Sequence, residues 1–249
     1  MTILTGAFIV VMAFLTAALS GVFGMAGGLA LKGALALVLP VSATFVVHGM
    51  LQLVANGWRA ILHRKFVNWR IVAVYALGAF AIAGVIGLIV YEPTRATLYL
   101  LMGLAPLLVW MPQGWIRVDA SRPGQAFICG IAVTGMNLTA GVAGPLLDVF
   151  FVRTALTRHQ IVATKAATQV FSHLMKIVVY GAPLFASGGK GVPPLWVFAL
   201  AIPLSMVGTA AGGIVLNRLS DVDFKRCLRL ILTGIGAVYL AQAVRLYIG

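Results

Sequence analysis

Long apolar runs dominate this chain. The segments 3–39, 71–90 and 193–216 carry almost no charge, and about 20 apolar helical residues suffice to cross a bilayer. A water-soluble globule of this size has no interior large enough to hide them. Only 9% of the 249 residues are charged, and mean hydropathy is +1.05; soluble domains carry about a quarter charged residues. Alternating strand patterns are absent, which argues against a membrane β-barrel. The expected class is an all-α polytopic membrane protein.

The 18 Lys and Arg outnumber the 5 Asp and Glu, for a net charge of +13. On one soluble face such an excess would suggest nucleic acid. Here the basic residues sit at the ends of apolar segments, as cytoplasmic charges do in membrane proteins. Membrane lipid is therefore the expected partner and nucleic acid is not. Part of the excess also suits an anionic substrate. Cys129 and Cys227 lie apart, without metal-ligand spacing, and read as packing residues; no metal or cofactor is expected. The run Ile3–Phe23 lacks the preceding Lys or Arg of a secretory signal, so it is read as mature structure.

The chain repeats itself. Slid by 117 positions, Gly24-Met25-Ala26-Gly27-Gly28-Leu29 falls on Gly141-Val142-Ala143-Gly144-Pro145-Leu146. The same offset carries His48 onto Lys165, Gln52 onto Gln169, Asn56 onto His173 and Arg59 onto Lys176. After an insertion near 187–191 the offset becomes 131, and Glu92 meets Asp223. Similarity that keeps its order indicates duplication: repeat 1 over about 3–111, a linker at 112–124, and repeat 2 over about 125–248. Each repeat reads as a glycine-broken segment, re-entrant or hairpin (3–39; 126–155), followed by three helices (41–62, 71–90, 97–111; 157–181, 193–216, 227–247).

Positive charge sets the expected orientation. The basic loop His63-Arg64-Lys65 with Arg70 is placed in the cytoplasm, together with Arg117, Arg122, Arg153, Arg158, Arg218, Lys225 and Arg226. Helix 71–90 then leads out to Tyr91-Glu92-Pro93. Each half thus holds an odd number of crossings, so the halves are expected to be inverted, with both termini outside.

Two features carry candidate chemistry. Non-helical backbone survives at membrane depth only against protein or a cavity. Gly24, Ala26, Gly27 and Gly28, and Gly141, Ala143 and Gly144, mark such breaks, and the helix starting after each presents free N–H groups that attract anions. Packing alone is the competing explanation for these glycines. The second feature is a polar stripe, His48, Gln52, Asn56 and Arg59, matched by Lys165, Gln169, Ser172, His173 and Lys176. The spacing puts each set on one helix face, and polar residues at this depth are expected to face the protein interior or a cavity. Gln52 and Gln169 can donate to an oxyanion and Lys165 can balance its charge, whereas Arg59 and Lys176 can reach headgroups. Lys32 and Asp148, in the short arms after the breaks, are expected to pair with each other or to act in coupling or gating.

The stretch Ser20-Gly21-Val22-Phe23-Gly24-Met25-Ala26-Gly27-Gly28, Pro40, the loop Val67-Asn68-Trp69-Arg70 and the second copy Gly141-Val142-Ala143-Gly144-Pro145-Leu146 with Ala163-Thr164 resemble the sulfite exporter (TauE/SafE) family. The resemblance spans nearly the whole chain. It implies a secondary carrier of sulfur-containing anions, such as sulfite and sulfonates, in the cytoplasmic (inner) membrane. Ala26 and Pro145 stand where the family often has glycine. The expected function is alternating-access transport of such an anion, with a carrier or channel for another small anion, such as a carboxylate, as the alternative. An enzyme is not expected: the four histidines show no nucleophile–base or metal spacing with acids, and no Gly-x-Ser-x-Gly occurs. Whether the chain acts singly or as a homodimer is left open.

Overall fold

The computed structural model describes residues 1–89, 93–111, 118–216 and 218–248. Tyr91, Glu92 and Arg117, used above for orientation, lie outside the described residues. Those described form helices and loops only, consistent with a polytopic membrane protein. Helix α1 (Ile3–Phe23) stops at Gly24, and α2 (Met25–Val38) folds back beside it. Then come α3 (Val41–Leu62), α4 (Trp69–Ile89) and α5 (Arg95–Leu104). The second half supplies α6 (Pro123–Thr139), the eight-residue α7 (Gly144–Phe151), α8 (Arg158–Ala186), α9 (Leu195–Leu216) and α10 (Asp221–Ile248).

The expected helix over 97–111 is not uniform. It tightens into a 3₁₀ stretch at Ala105–Trp110, because Pro106 has no N–H to give to an α-helical bond. The segment 126–155 divides into α6 and α7, with the break at 140–143.

Four helices among the described residues are long and apolar enough to cross a membrane: α1, α4, α9 and the Arg226–Ile248 part of α10. Their outward faces carry exposed apolar side chains, including Leu77 and Leu88 on α4, Val207 and Ile214 on α9, and Leu230 and Val238 on α10. Such a surface suits lipid. The polar stripes occur on α3 and α8, and these two helices pack together at the centre.

Contacts fix the direction of each helix. Phe45, near the start of α3, stacks on Tyr180, near the end of α8, with ring centroids 4.2 Å apart. Gly57, near the end of α3, faces Val170 in the first half of α8. These two helices therefore run antiparallel. The same holds for α5 and α10, where the Thr97 and Tyr247 hydroxyls are 3.2 Å apart and Trp110 Nε1 donates to Thr233 Oγ1 at 3.0 Å. By contrast α1 and α9 run parallel: Gly6 meets Trp196, and Gly21 meets Gly212. So do α4 and α6, with Gly78 against Phe127 and Gly135 against Ile82. Each first arm thus packs on a helix of the other half, at glycines that let backbones approach closely.

These directions define two rims. One gathers Pro40 with Gly191, and Gly6 with Trp196. The opposite rim gathers Phe66 with His159, and Ala120 with Phe150. Arg64, Lys65, Arg70, Arg122, Arg153 and Arg218 fall at this second, basic rim, whereas Arg95, Lys190 and Arg245 fall at the first. Because α1 and α3 both run toward the basic rim, α2 must return, so α1 and α2 form a hairpin.

Candidate functional site

The hairpin tips meet the polar stripes in the middle of the bundle. Gly24 adopts φ +66°, a conformation that side chains disfavour. Its N–H donates to Ser20 O at 2.8 Å, and the Ser20 hydroxyl donates to its carbonyl. Among the described residues no side chain caps the start of α2. At the second break Gly141 has φ +80°, and α7 likewise starts at Ala143-Gly144 without a side-chain cap. The first N–H groups of both helices have no intrahelical acceptor.

Between the breaks lies a small cavity of about 50 Å³. Gly24 and Gly28 line it from one break, and Val142, Ala143 and Gly144 from the other. The stripe residues His48, Gln52 and Asn56 face it from α3, and Gln169 and His173 from α8. A water needs about 10–15 Å³ of such space, so the hollow has room for a few waters or one small oxyanion.

Its polar groups are incompletely satisfied. Gln169 Nε2, His173 Nδ1 and Asn137 Oδ1 are buried without a hydrogen-bond partner among the described residues. Gln52 Oε1 accepts from Asn56 Nδ2 at 3.4 Å, which leaves the Gln52 amide nitrogen to donate elsewhere. Gln169 Nε2 is a donor, and His173 Nδ1 is one in the tautomer that carries its proton there; buried donors without partners are costly, and a negatively charged oxygen is what such donors bind. Asn137 Oδ1 is an acceptor, suited to a water.

His48 joins the two breaks. Its Nε2 is 2.9 Å from Gly28 O, and its Nδ1 is 3.1 Å from Lys176 Nζ, which also donates to Gly141 O at 2.7 Å. A carbonyl only accepts and an ammonium only donates, so this network assigns the proton to Nε2 and the lone pair to Nδ1. Beyond His48, toward the less basic rim, the fully buried Phe45, Lys32 and Lys176, with Tyr180, close the hollow.

Several expectations change here. Lys165 and Asp148 pair with each other; the expected Lys32–Asp148 pair does not form. The Lys165 side chain, in the first half of α8, reaches Asp148 on the eight-residue α7, while Lys32 sits against the opposite tip at Gly141. Lys165 is therefore committed to a carboxylate and does not line the hollow. Arg59, expected to reach the headgroups, lines it instead and donates to Ser20 O at 2.9 Å. Lys176, expected to snorkel, is fully buried. Of the motif residues, Ala26 is buried in the core. Gly27 packs on α1 so closely that a Cβ would lie 2.0 Å from Thr16 O.

Ser20, Asn137 and Arg59 are the polar lining residues that sequence reasoning missed. A signal for two of them was present: the 117-residue offset carries Ser20 onto Asn137, one turn before each break.

The sequence model of the sulfite exporter TauE/SafE family matches residues 9–239. The chain belongs to this family. The match covers both breaks, both stripes and every residue placed around the hollow. TauE/SafE is a family of sulfite-exporting membrane transporters rather than enzymes, and this chain is a multi-pass membrane protein. Comparison with curated proteins and with solved structures gives no match.

Proposed function

We propose that the chain is a secondary transporter that moves a small sulfur-containing oxyanion, of the sulfite or sulfonate kind, across the cytoplasmic membrane by alternating access. One observation carries the reading: two uncapped helix starts and the unpartnered Gln169 Nε2 converge on one hollow between the halves. The N–H groups of α2 and α7, the Gln52 and Gln169 amides and the Arg59 guanidinium hold the anion's oxygens. Arg59, rather than Lys165, supplies the facing positive charge. Guanidinium presents five donors in a planar fork, and Ser20 takes part of that capacity.

The halves are inverted repeats in this reading. Equivalent helices of parallel repeats would run in the same direction, so the antiparallel α3–α8 and α5–α10 pairs support inversion. Inverted repeats with discontinuous helices at mid-depth are a recurrent carrier design. The basic rim faces the cytoplasm, which puts both termini outside. The closed layer at Phe45, Tyr180 and Lys176 supports a carrier over a channel, because an open channel conducts through a continuous path.

The test is a thermal-shift and binding screen of sulfite, sulfonates, sulfate and short carboxylates, repeated with Gln169→Ala. Sulfur oxyanions should stabilise the wild type and lose affinity in the variant. Flux in proteoliposomes should saturate and show counterflow. If no sulfur oxyanion binds, the assigned substrate class is wrong.

A further inference from the structure

Lys32 has no part in the site as assembled so far. It lies on α2 one turn beyond Gly28, at i and i+4 on one helix face, and Gly28 lines the hollow. The side chain is fully buried and Nζ has no hydrogen-bond partner among the described residues. Nζ stands 3.2 Å over the Phe45 ring, a cation–π arrangement. Its methylene chain fills the space beside Gly141, where a Cβ would lie 2.4 Å from Lys32 Cε. Lys176 Nζ is 5.8 Å from the centre of the same ring. Arg59 brings a third cation at the other end of the hollow.

No described carboxylate offsets these three. Asp148 is taken by Lys165, Asp119 accepts from Ser121, and Asp223 accepts from Ser220. Among the described residues no acid lies within ion-pair distance of Lys32, Arg59 or Lys176. A buried cation without a counter-ion is strongly unfavourable, and a ring face offsets only part of that cost. A buried lysine meets that cost either by giving up its proton or by receiving a negative charge, and an anion arriving in the hollow favours the charged form. One negative charge leaves most of this field uncompensated, and two bring it closer to balance.

We propose that the hollow selects a doubly charged oxyanion over a singly charged one, with Lys32 as the specificity residue that reads the second charge. The proposal rests on the reading that this hollow is the anion site. Lys32 acts without touching the anion, because charge–charge attraction falls only as the inverse of distance and is weakly screened in a buried site.

The experiment is equilibrium binding of sulfate and methanesulfonate to the purified full chain in detergent. The two anions share three sulfonyl oxygens and carry charges of two and one. The wild type should prefer sulfate by at least about tenfold. Lys32→Met should lose sulfate affinity by about tenfold and methanesulfonate affinity by only about threefold, because the attraction scales with the charge of the anion. Retained methanesulfonate binding shows that the variant is folded and the hollow intact. Lys32→Arg should restore the preference, and Lys32→Gln is the second neutral variant for the same comparison. Equal wild-type affinities overturn the proposal whatever the variants do. So does an unchanged preference in either neutral variant, or equal loss of both anions in a variant that melts like wild type. If the wild type binds no sulfur oxyanion at all, the anion-site reading itself fails and takes this proposal with it.

Discussion

Gly27 and Gly28 are neighbours in one motif, and they should respond to alanine in opposite ways. A Cβ on Gly27 would lie 2.0 Å from Thr16 O and 2.6 Å from Ser20 N, both backbone atoms of α1. Ordinary C···O contact needs more than 3 Å, so the hairpin arms would have to separate by about 1 Å. Overpacking of this kind costs about 1–3 kcal/mol or more, and here no flexible side chain can yield. The helix-propensity gain of alanine over glycine, about 1 kcal/mol, offsets only part of it. A net loss of about 2 kcal/mol corresponds to a melting point roughly 4–8 °C lower in a chain of this size. On Gly28 the nearest atom to a new Cβ is Gln52 Oε1 at 3.3 Å, the end of a movable side chain. The propensity gain then roughly cancels the crowding, and the melting point should stay level or rise by up to about 4 °C. The displaced Gln52 amide lines the hollow. Losing one hydrogen bond to a charged ligand, about 1.5–3 kcal/mol, should weaken anion binding about 10- to 100-fold. Thermal melts in detergent and equilibrium anion binding separate the two effects. A Gly27→Ala chain that melts like wild type, or a Gly28→Ala chain that melts early with unchanged affinity, would refute this division between packing and binding.

Two further outcomes are expected. Asp148→Asn and Lys165→Met should each lower stability modestly, with a coupling in the double variant of no more than about 1 kcal/mol, because these side chains are 42% and 19% exposed; anion affinity should be retained, and its loss in Lys165→Met would return that residue to the site. In a background without Cys129 and Cys227, cysteines at Phe66 and Ser121 should label from one face of sealed vesicles and cysteines at Thr94 and Ser187 from the other; labelling of all four from one face would sink the inverted arrangement.

Much of the fold was legible because membranes restrict it. Apolar runs marked the spans, and the limits given for residues 41–62 coincide with α3. The 117-residue offset located both breaks, since backbone turns at mid-depth need glycine at positive φ, and Gly24 and Gly141 are those turns. What could not be read was which polar group each cation meets. Helical spacing places Lys165, Gln169 and His173 on one face of α8, but it does not say what covers that face at each depth. The partners decide it: Asp148 on α7 takes Lys165, and Gln169 and His173 are left to the hollow.

The unequal hairpins also explain why Arg59 and Lys176, equivalent under the repeat, came to differ. Each holds a carbonyl near the C-terminal end of its own hairpin's first arm, Arg59 at Ser20 O and Lys176 at Gly141 O. Cations are favoured at that end of a helix, which leaves the positive ends, the starts of α2 and α7, free for an anion. Lys176 is held further, by His48, in the closed layer toward the less basic rim. Arg59 keeps partial exposure on the opposite side of the hollow. Under the proposed alternating access, the Lys176–Gly141 contact is the one that has to loosen for the anion to leave toward the less basic rim. By the same symmetry the Arg59–Ser20 contact is the latch proposed for the other side, and under the proposed mechanism the two contacts would open in turn.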